Sequence, residues 1–177
     1  MATAGVISDE ELLRLPKDGN KYELIDGELS VSPAGWAHER VTANLIAAMS
    51  AHAKAHNLGD VLGSNALYVL PNGNKRAPDV SFVAAGRLES AGGGPWLSLV
   101  PDLAVEVRSP NDSTRQILDT VGEYLAAGVR LVFVIDPERR SAAAYRSATH
   151  VREIGPGGAL EGADVLAGFV CPLADVL

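Results

Sequence analysis

Two carboxylates in this chain stand where a negative charge needs a reason. Glu106 lies inside an otherwise apolar run, Leu103-Ala104-Val105-Glu106-Val107, and Asp79 follows Pro78 at the head of another β-prone stretch. A charge within such a run is costly unless it is paired or bound to a metal. Each alone has an ordinary explanation: for Glu106 an ion pair with a core arginine or a solvated sheet face, for Asp79 a Pro-Asp turn. Together, at adjacent strand ends, they make a hard oxygen site suited to Mg²⁺ or Mn²⁺. The backbone carbonyl of Val107 could add a third ligand. Arg108, two residues beyond Glu106, is expected on the same side of the strand. Its guanidinium would hold a phosphate or stabilise charge developing on it, or else form a structural ion pair with Glu106 or Asp79. It stays protonated, so it is no general base.

These residues need a sheet to bring them together. The pattern predicts strands over 61–70, 79–84, 103–107 and 131–135, the last a continuous apolar run typical of a central strand. Helices are expected over 37–56, with Val41, Leu45, Ala48, Met49 and His52 on one face and Gly59 closing it, and over 113–127, ending at Gly128. The strand–helix–strand order at 103–135 demands a parallel pair, so the sheet is mixed, with helices packed on it. Before it come a short helix over 8–15, with Ser8 and Glu11 as a capping box and Pro16 as its stop, and a hairpin over 21–31 turning at Asp26-Gly27. Pro33 and Gly35 end that hairpin. The tail suggests a second hairpin, with strands near 142–146 and 151–154.

Composition narrows the field. The 177 residues fit one domain, 1–177, and 47% apolar content reads as globular. Cys171 is the one cysteine, which excludes an intrachain disulfide and a multi-cysteine zinc site. His52 and His56 have metal-ligand spacing but no third ligand nearby in sequence. Gly92-Gly93-Gly94 lacks a following lysine and reads as a loop, not a phosphate cradle. No leader-like segment and no apolar stretch of bilayer length stand out, so a cytoplasmic location with no membrane partner is expected. The net charge of −7 argues against a generic nucleic-acid coat protein. Residues 75–152, however, hold 10 Lys+Arg against 9 Asp+Glu, so the acidity lies elsewhere.

Pro78-Asp79 followed by Glu106-Val107-Arg108 resembles the Pro-Asp…(Asp/Glu)-X-Lys signature of restriction-endonuclease-like nucleases. A larger share of the chain resembles one branch, the Uma-two family of endonuclease-like proteins. The matching pieces are Tyr22 to Leu29, His38, Ala77 to Val80, Pro101 to Pro110, Tyr124, Gly128-Val129, Val134 to Pro137 and Leu166 to Phe169, in unbroken order over about residues 10–177. The resemblance implies a restriction-endonuclease-like α/β fold with a mixed central sheet, an N-terminal hairpin and a C-terminal β extension. It implies a metal-dependent nuclease with Asp79 and Glu106 as ligands of Mg²⁺ or Mn²⁺, acting on nucleic acid, DNA by preference. Glu23 would be a further acidic group at the site, or a hairpin carboxylate in a surface pair. His38 would orient a phosphate or a neighbouring acid, or serve as a capping or packing histidine. The family carries a lysine on the second helix where this chain has Thr120. The cation has then moved to Arg108, or Gln116 one turn before Thr120 reaches the site, or the cation is lost. Two rivals follow: a nucleic-acid-binding module without chemistry, favoured by Thr120, and a partner-binding protein, favoured by the net charge. A homodimer would suit cleavage of both strands of a duplex.

Overall fold

The computed structural model describes residues 2–16, 18, 20–32 and 35–177. Two sheets form its frame. The first has strands β1 (Ala2–Val6), β2 (Lys21–Ile25), β3 (Glu28–Ser32), β5 (Tyr68–Val69) and β6 (Lys75–Arg76) in the order β1-β3-β2-β6-β5, antiparallel throughout. The second has β4 (Gly59–Gly63), β7 (Val80–Ala84), β8 (Leu103–Val107), β9 (Leu131–Asp136), β10 (Ser141–Ser147) and β11 (His150–Ile154) in the order β11-β10-β9-β8-β7-β4. Only β8 and β9 run parallel in it, joined by helix α3 (Thr114–Ala127), and so the sheet is mixed as expected. A small pair, β12 (Ala159–Glu161) with β13 (Val170–Pro172), and the short α4 (Leu173–Val176) complete the tail.

The second sheet is covered on both faces, which is why all five residues of β8 are buried. Helix α2 (Trp36–Ala55) lays Val41, Leu45, Met49 and Ala53 against Val80, Phe82, Val105 and Phe133 on one face. Ala53, not His52, is the buried residue of its last turn. Helix α3 packs Val121 and Tyr124 on the other face, over Ala104, Val132 and Val134. Each fully buried aliphatic or aromatic side chain contributes about 1.5–3 kcal/mol. The ends of α3 follow from sequence: Ser113 and Gln116 make a capping box, and Gly128 takes the left-handed conformation at φ 105°. The short helix α1 (Asp9–Leu13) has the expected Ser8–Glu11 box. Pro33, expected to end the hairpin, lies outside the described residues.

One expected strand is two. Residues 61–70 divide at Ser64-Asn65, where Ala66 N–H closes a turn on Gly63 O at 3.0 Å. β4 belongs to the second sheet and β5 to the first. The chain crosses back at Ala77-Pro78, between β6 and β7; proline, lacking an N–H, leaves no ladder donor orphaned there. Both crossings border one cleft between the sheets, and Ser64 and Asp79 line it. α2 ends at Ala55, and Gly59, expected to close it, opens β4 instead; Asn57 (φ 53°) makes the turn.

Candidate active site

The cleft encloses a cavity of about 110 Å³, lined by Lys21 and Glu23 of β2, His38 of α2, Arg76, Asp79, Glu106 and Val107, with Gln116 and Thr120 of α3 on its far wall. That is room for several waters or a hydrated ion. Asp79 stands just before β7, and its backbone N–H still donates to Val105 O at 3.0 Å. Its side chain then continues the ladder: Oδ2 accepts from Val107 N–H at 2.8 Å. His38 Nε2 lies 3.0 Å from the same oxygen. Glu106 projects from β8 toward α3, where Oε1 accepts from the Tyr124 hydroxyl at 2.8 Å. The remaining oxygens of the two carboxylates face one cation. Lys21 Nζ donates to Asp79 Oδ1 at 2.9 Å and to Glu106 Oε2 at 3.4 Å.

Asp79 and Glu106 are both buried, yet their chemistry diverges. Burial works against charge on Asp79, but Lys21, His38 and the Val107 N–H more than offset it, so its pKa is held well below the usual carboxylate range. Ionised Asp79 therefore needs the proton on His38 Nε2, and the His38 pKa is raised: burial opposes its charge and Asp79 prevails. Glu106 has burial and the negative charges of Asp79 and Glu23 against it, and Lys21 and Tyr124 offset these only in part. Its pKa is pushed up to about 8. For Lys21 burial opposes the charge, but Glu106, Asp79 and Glu23 together raise its pKa well above the ordinary lysine value.

Behind this trio lies a second buried layer. Glu23 Oε1 accepts from Ala77 N–H at 2.9 Å, fixing the crossing that presents Asp79, and Glu23 Oε2 lies 3.9 Å from Arg76. Arg76 donates to Glu123 Oε2 through Nε at 2.6 Å and Nη2 at 2.5 Å. Glu23 is thus part of the wall rather than of a surface pair. With Lys21 and Arg76 set against Glu23, Asp79, Glu106 and Glu123, the cluster has two more carboxylates than fixed cations. Burial is the main cause of the raised Glu106 pKa, and the charges of Asp79 and Glu23 add to it.

The expected residues do not all meet. Glu23, His38, Asp79, Glu106, Val107 and Gln116 line the cavity, and Arg108 does not. Strand β8 ends at Val107, so the alternation that would have put Arg108 beside Glu106 stops one residue short. Its guanidinium turns to Asp136 at the end of β9, 3.0 Å away, and to the carbonyl of Asp112 at 3.1 Å. Gln116 reaches the wall, but its Oε1 is engaged by Ser113 as the helix cap. The cation near both carboxylates is Lys21, which no motif singled out. The signal was there: Lys21 and Glu23 are two apart on one strand and share a face.

The donors fit a hard divalent ion in type. Two carboxylates already share one cation position, held here by an ammonium, and the surrounding charge favours further positive charge. Among the described residues no group of three or more His, Cys, Asp or Glu side chains is arranged to hold a metal. Such an ion would need its other ligands from the Val107 carbonyl, water and substrate. His52 and His56 face backbone carbonyls, those of Ala167 and His52, each at 2.9 Å. No helix among the described residues is long and apolar enough to cross a membrane.

The model of the Uma2 family, described as "Putative restriction endonuclease", matches residues 9–174. The chain belongs to the Uma2 family. That match takes in every residue named at the cleft. The fold is similar to that of a solved structure described as "a putative nuclease belonging to DUF820", from Anabaena variabilis ATCC 29413. The two are 18% identical, with a TM-score of 0.81 over 96% of this Uma2 chain and 97% of the other. At that identity the likeness establishes the fold: a mixed α/β architecture with a mixed central sheet flanked by helices. No curated protein matches the chain.

Proposed function

We propose that this Uma2 protein hydrolyses phosphodiester bonds in nucleic acid, DNA first, at the cleft between its two sheets. The observation behind this reading is the convergence of Asp79 and Glu106 on one cation position, at 2.9 and 3.4 Å from Lys21 Nζ, in a cavity open to a small polar ligand. Asp79 and Glu106 would hold Mg²⁺ or Mn²⁺, with Val107 supplying its carbonyl. Such an ion lowers the pKa of a bound water and offsets charge on the phosphoryl oxygens. The chain's own groups set the stage. His38 and the Val107 N–H keep Asp79 ionised and oriented. Tyr124 orients Glu106. Lys21, on strand β2 rather than the second helix, supplies positive charge beside the carboxylates and would pair with a non-bridging phosphate oxygen.

A second reading has its own support. Thr120 stands where that lysine is expected, and Lys21 already satisfies both carboxylates, an arrangement compatible with a nucleic-acid-binding module without chemistry. Calorimetric titration with Mn²⁺, run beside nicking assays on plasmid and on single-stranded circles, separates the two. Mn²⁺ binding and cleavage by the native protein, both lost in Asp79→Asn and in Glu106→Gln, is the expected result. Undiminished cleavage by Asp79→Asn would overturn the assignment. Nucleic-acid binding without cleavage in Mg²⁺ or Mn²⁺ would establish the second reading.

A further inference from the structure

One side chain near the cleft has no structural employment. Trp36, the first residue of α2, is 78% exposed, the most exposed large apolar side chain among the described residues. The indole has a flat apolar face and an N–H donor, the combination that makes Trp frequent at binding surfaces. Its position ties it to the cleft. His38, two residues on, contacts Asp79, and Glu39 lines the cavity. Trp36 and Glu39 are three apart on a helix and neighbours on its surface, so the indole lies within one helical turn of the cavity wall. Arg40, one turn on, holds its guanidinium 5.8 Å from the ring centroid. An indole with a guanidinium at its face presents both things a nucleotide offers to bind: a π surface for a base and a cation for a phosphate. Neither is needed by the fold, since α2 is anchored by Val41, Leu45 and Met49 further along.

We propose that Trp36 and Arg40 form a nucleotide platform at the cleft, on which one unstacked base of the substrate strand lies against the indole while Arg40 takes the flanking phosphate. The inference rests on the nuclease reading and names its substrate class: nucleic acid with at least one base out of the stack, single-stranded or locally distorted, in preference to regular duplex. Stacking on an aromatic ring tolerates any base, so the platform selects for strand state and not for sequence.

The test is binding of fluorescein-labelled oligonucleotides in Ca²⁺, measured by anisotropy, with Trp36→Ala, Trp36→Phe and Arg40→Ala beside the native protein. The single strand should bind more tightly than the duplex. Trp36→Ala should weaken single-strand binding about 5- to 150-fold, the range of one base–aromatic stack, and Trp36→Phe should recover most of it. A strand carrying abasic sites should bind native protein and Trp36→Ala alike, and should no longer quench the Trp36 component of the intrinsic fluorescence. Equal affinities of native protein and Trp36→Ala for the normal strand would overturn the platform while leaving the nuclease reading intact. Absence of any binding by native protein would overturn both. An unchanged melting temperature in Trp36→Ala, expected for so exposed a side chain, separates lost contact from lost fold.

Discussion

Glu106 is held from two sides, by the Tyr124 hydroxyl and the Lys21 ammonium, and each hold has a measurable consequence. Tyr124→Phe removes the hydroxyl and leaves a buried carboxylate one bond short; a stability loss of about 1–3 kcal/mol is expected in chemical denaturation. Lys21→Met removes the charge that Asp79 and Glu106 share. Cleavage should fall at least 100-fold while Mn²⁺ still binds, because the donors remain; retained cleavage would remove Lys21 from the machinery. The sign of the pH dependence follows from Glu106. Its folded pKa, about 8, lies above its ordinary value, so the folded state holds the proton more tightly. The associated stability is fully present at low pH and is lost as pH rises through about 8. The metal-free protein should therefore melt at a lower temperature at pH 9 than at pH 6; Glu106→Gln should reduce that difference, leaving the share that the raised His38 pKa adds in the same direction. Asp79, shifted the opposite way, changes state only in strong acid and plays no part in this window. Bound Mn²⁺ needs Glu106 ionised, so binding should release a proton, read as a calorimetric enthalpy that varies with the buffer. At this scale the sequence made the carboxylates visible, because charge inside apolar runs is conspicuous. It hid Lys21, because a lysine at the start of a two-sided hairpin looks ordinary, and it misled on Arg108, because alternation says nothing about where a strand stops.

Among the elements, the long regular ones were legible. β8 spans the expected residues, and α3 starts and stops at the residues whose cap chemistry demanded it. What failed was the reading of 61–70 as one strand. The stretch is β-prone throughout, and only the short turn at Ser64-Asn65 divides it between two sheets. Which sheet a short strand joins is decided by its pairing partners: β5 pairs with β6, Tyr68 opposite Arg76, and β6 pairs in turn with β2, Lys75 opposite Leu24, far away in sequence. The link from α2 to β4 depends on Gly59. At φ 146°, a Cβ there would lie 2.1 Å from Val83 O, which is backbone and cannot step aside. Gly59→Ala should cost upwards of about 1–3 kcal/mol from conformational strain alone. Thermal unfolding checks it, with Gly73→Ala as the control; that position also has positive φ, at 90°, but nothing within 4 Å of the added carbon.

At the scale of the molecule, two sheets meet at a cleft with each side supplying part of the chemistry. Lys21 and Glu23 come from the first sheet, Asp79 and Glu106 from the second. The sequence displayed the two sets of residues but not their meeting, which exists only once both sheets are folded and joined. The protein's overall charge of −7 opposes a polyanion, so on the nuclease reading attraction would be local, through Lys21, Arg40 and any divalent ion the cleft holds. Affinity for a short oligonucleotide should accordingly fall only modestly with salt, with a log–log slope of about −0.7 to −1.4, that of one or two phosphate contacts on a single strand. A slope demanding six or more contacts would point to a much larger interface than the cleft.

The Asp79 side chain that accepts the Val107 N–H is also the last rung of the β7–β8 ladder. A lineage that abandoned catalysis would still be selected to keep that rung, and would keep Glu106 opposite Tyr124 for similar reasons. Decay should show first at residues with no part in the scaffold. On the nuclease reading, a descendant that lost the chemistry would show it first at Trp36, which the fold does not need, while the paired acids Asp79 and Glu106 persist.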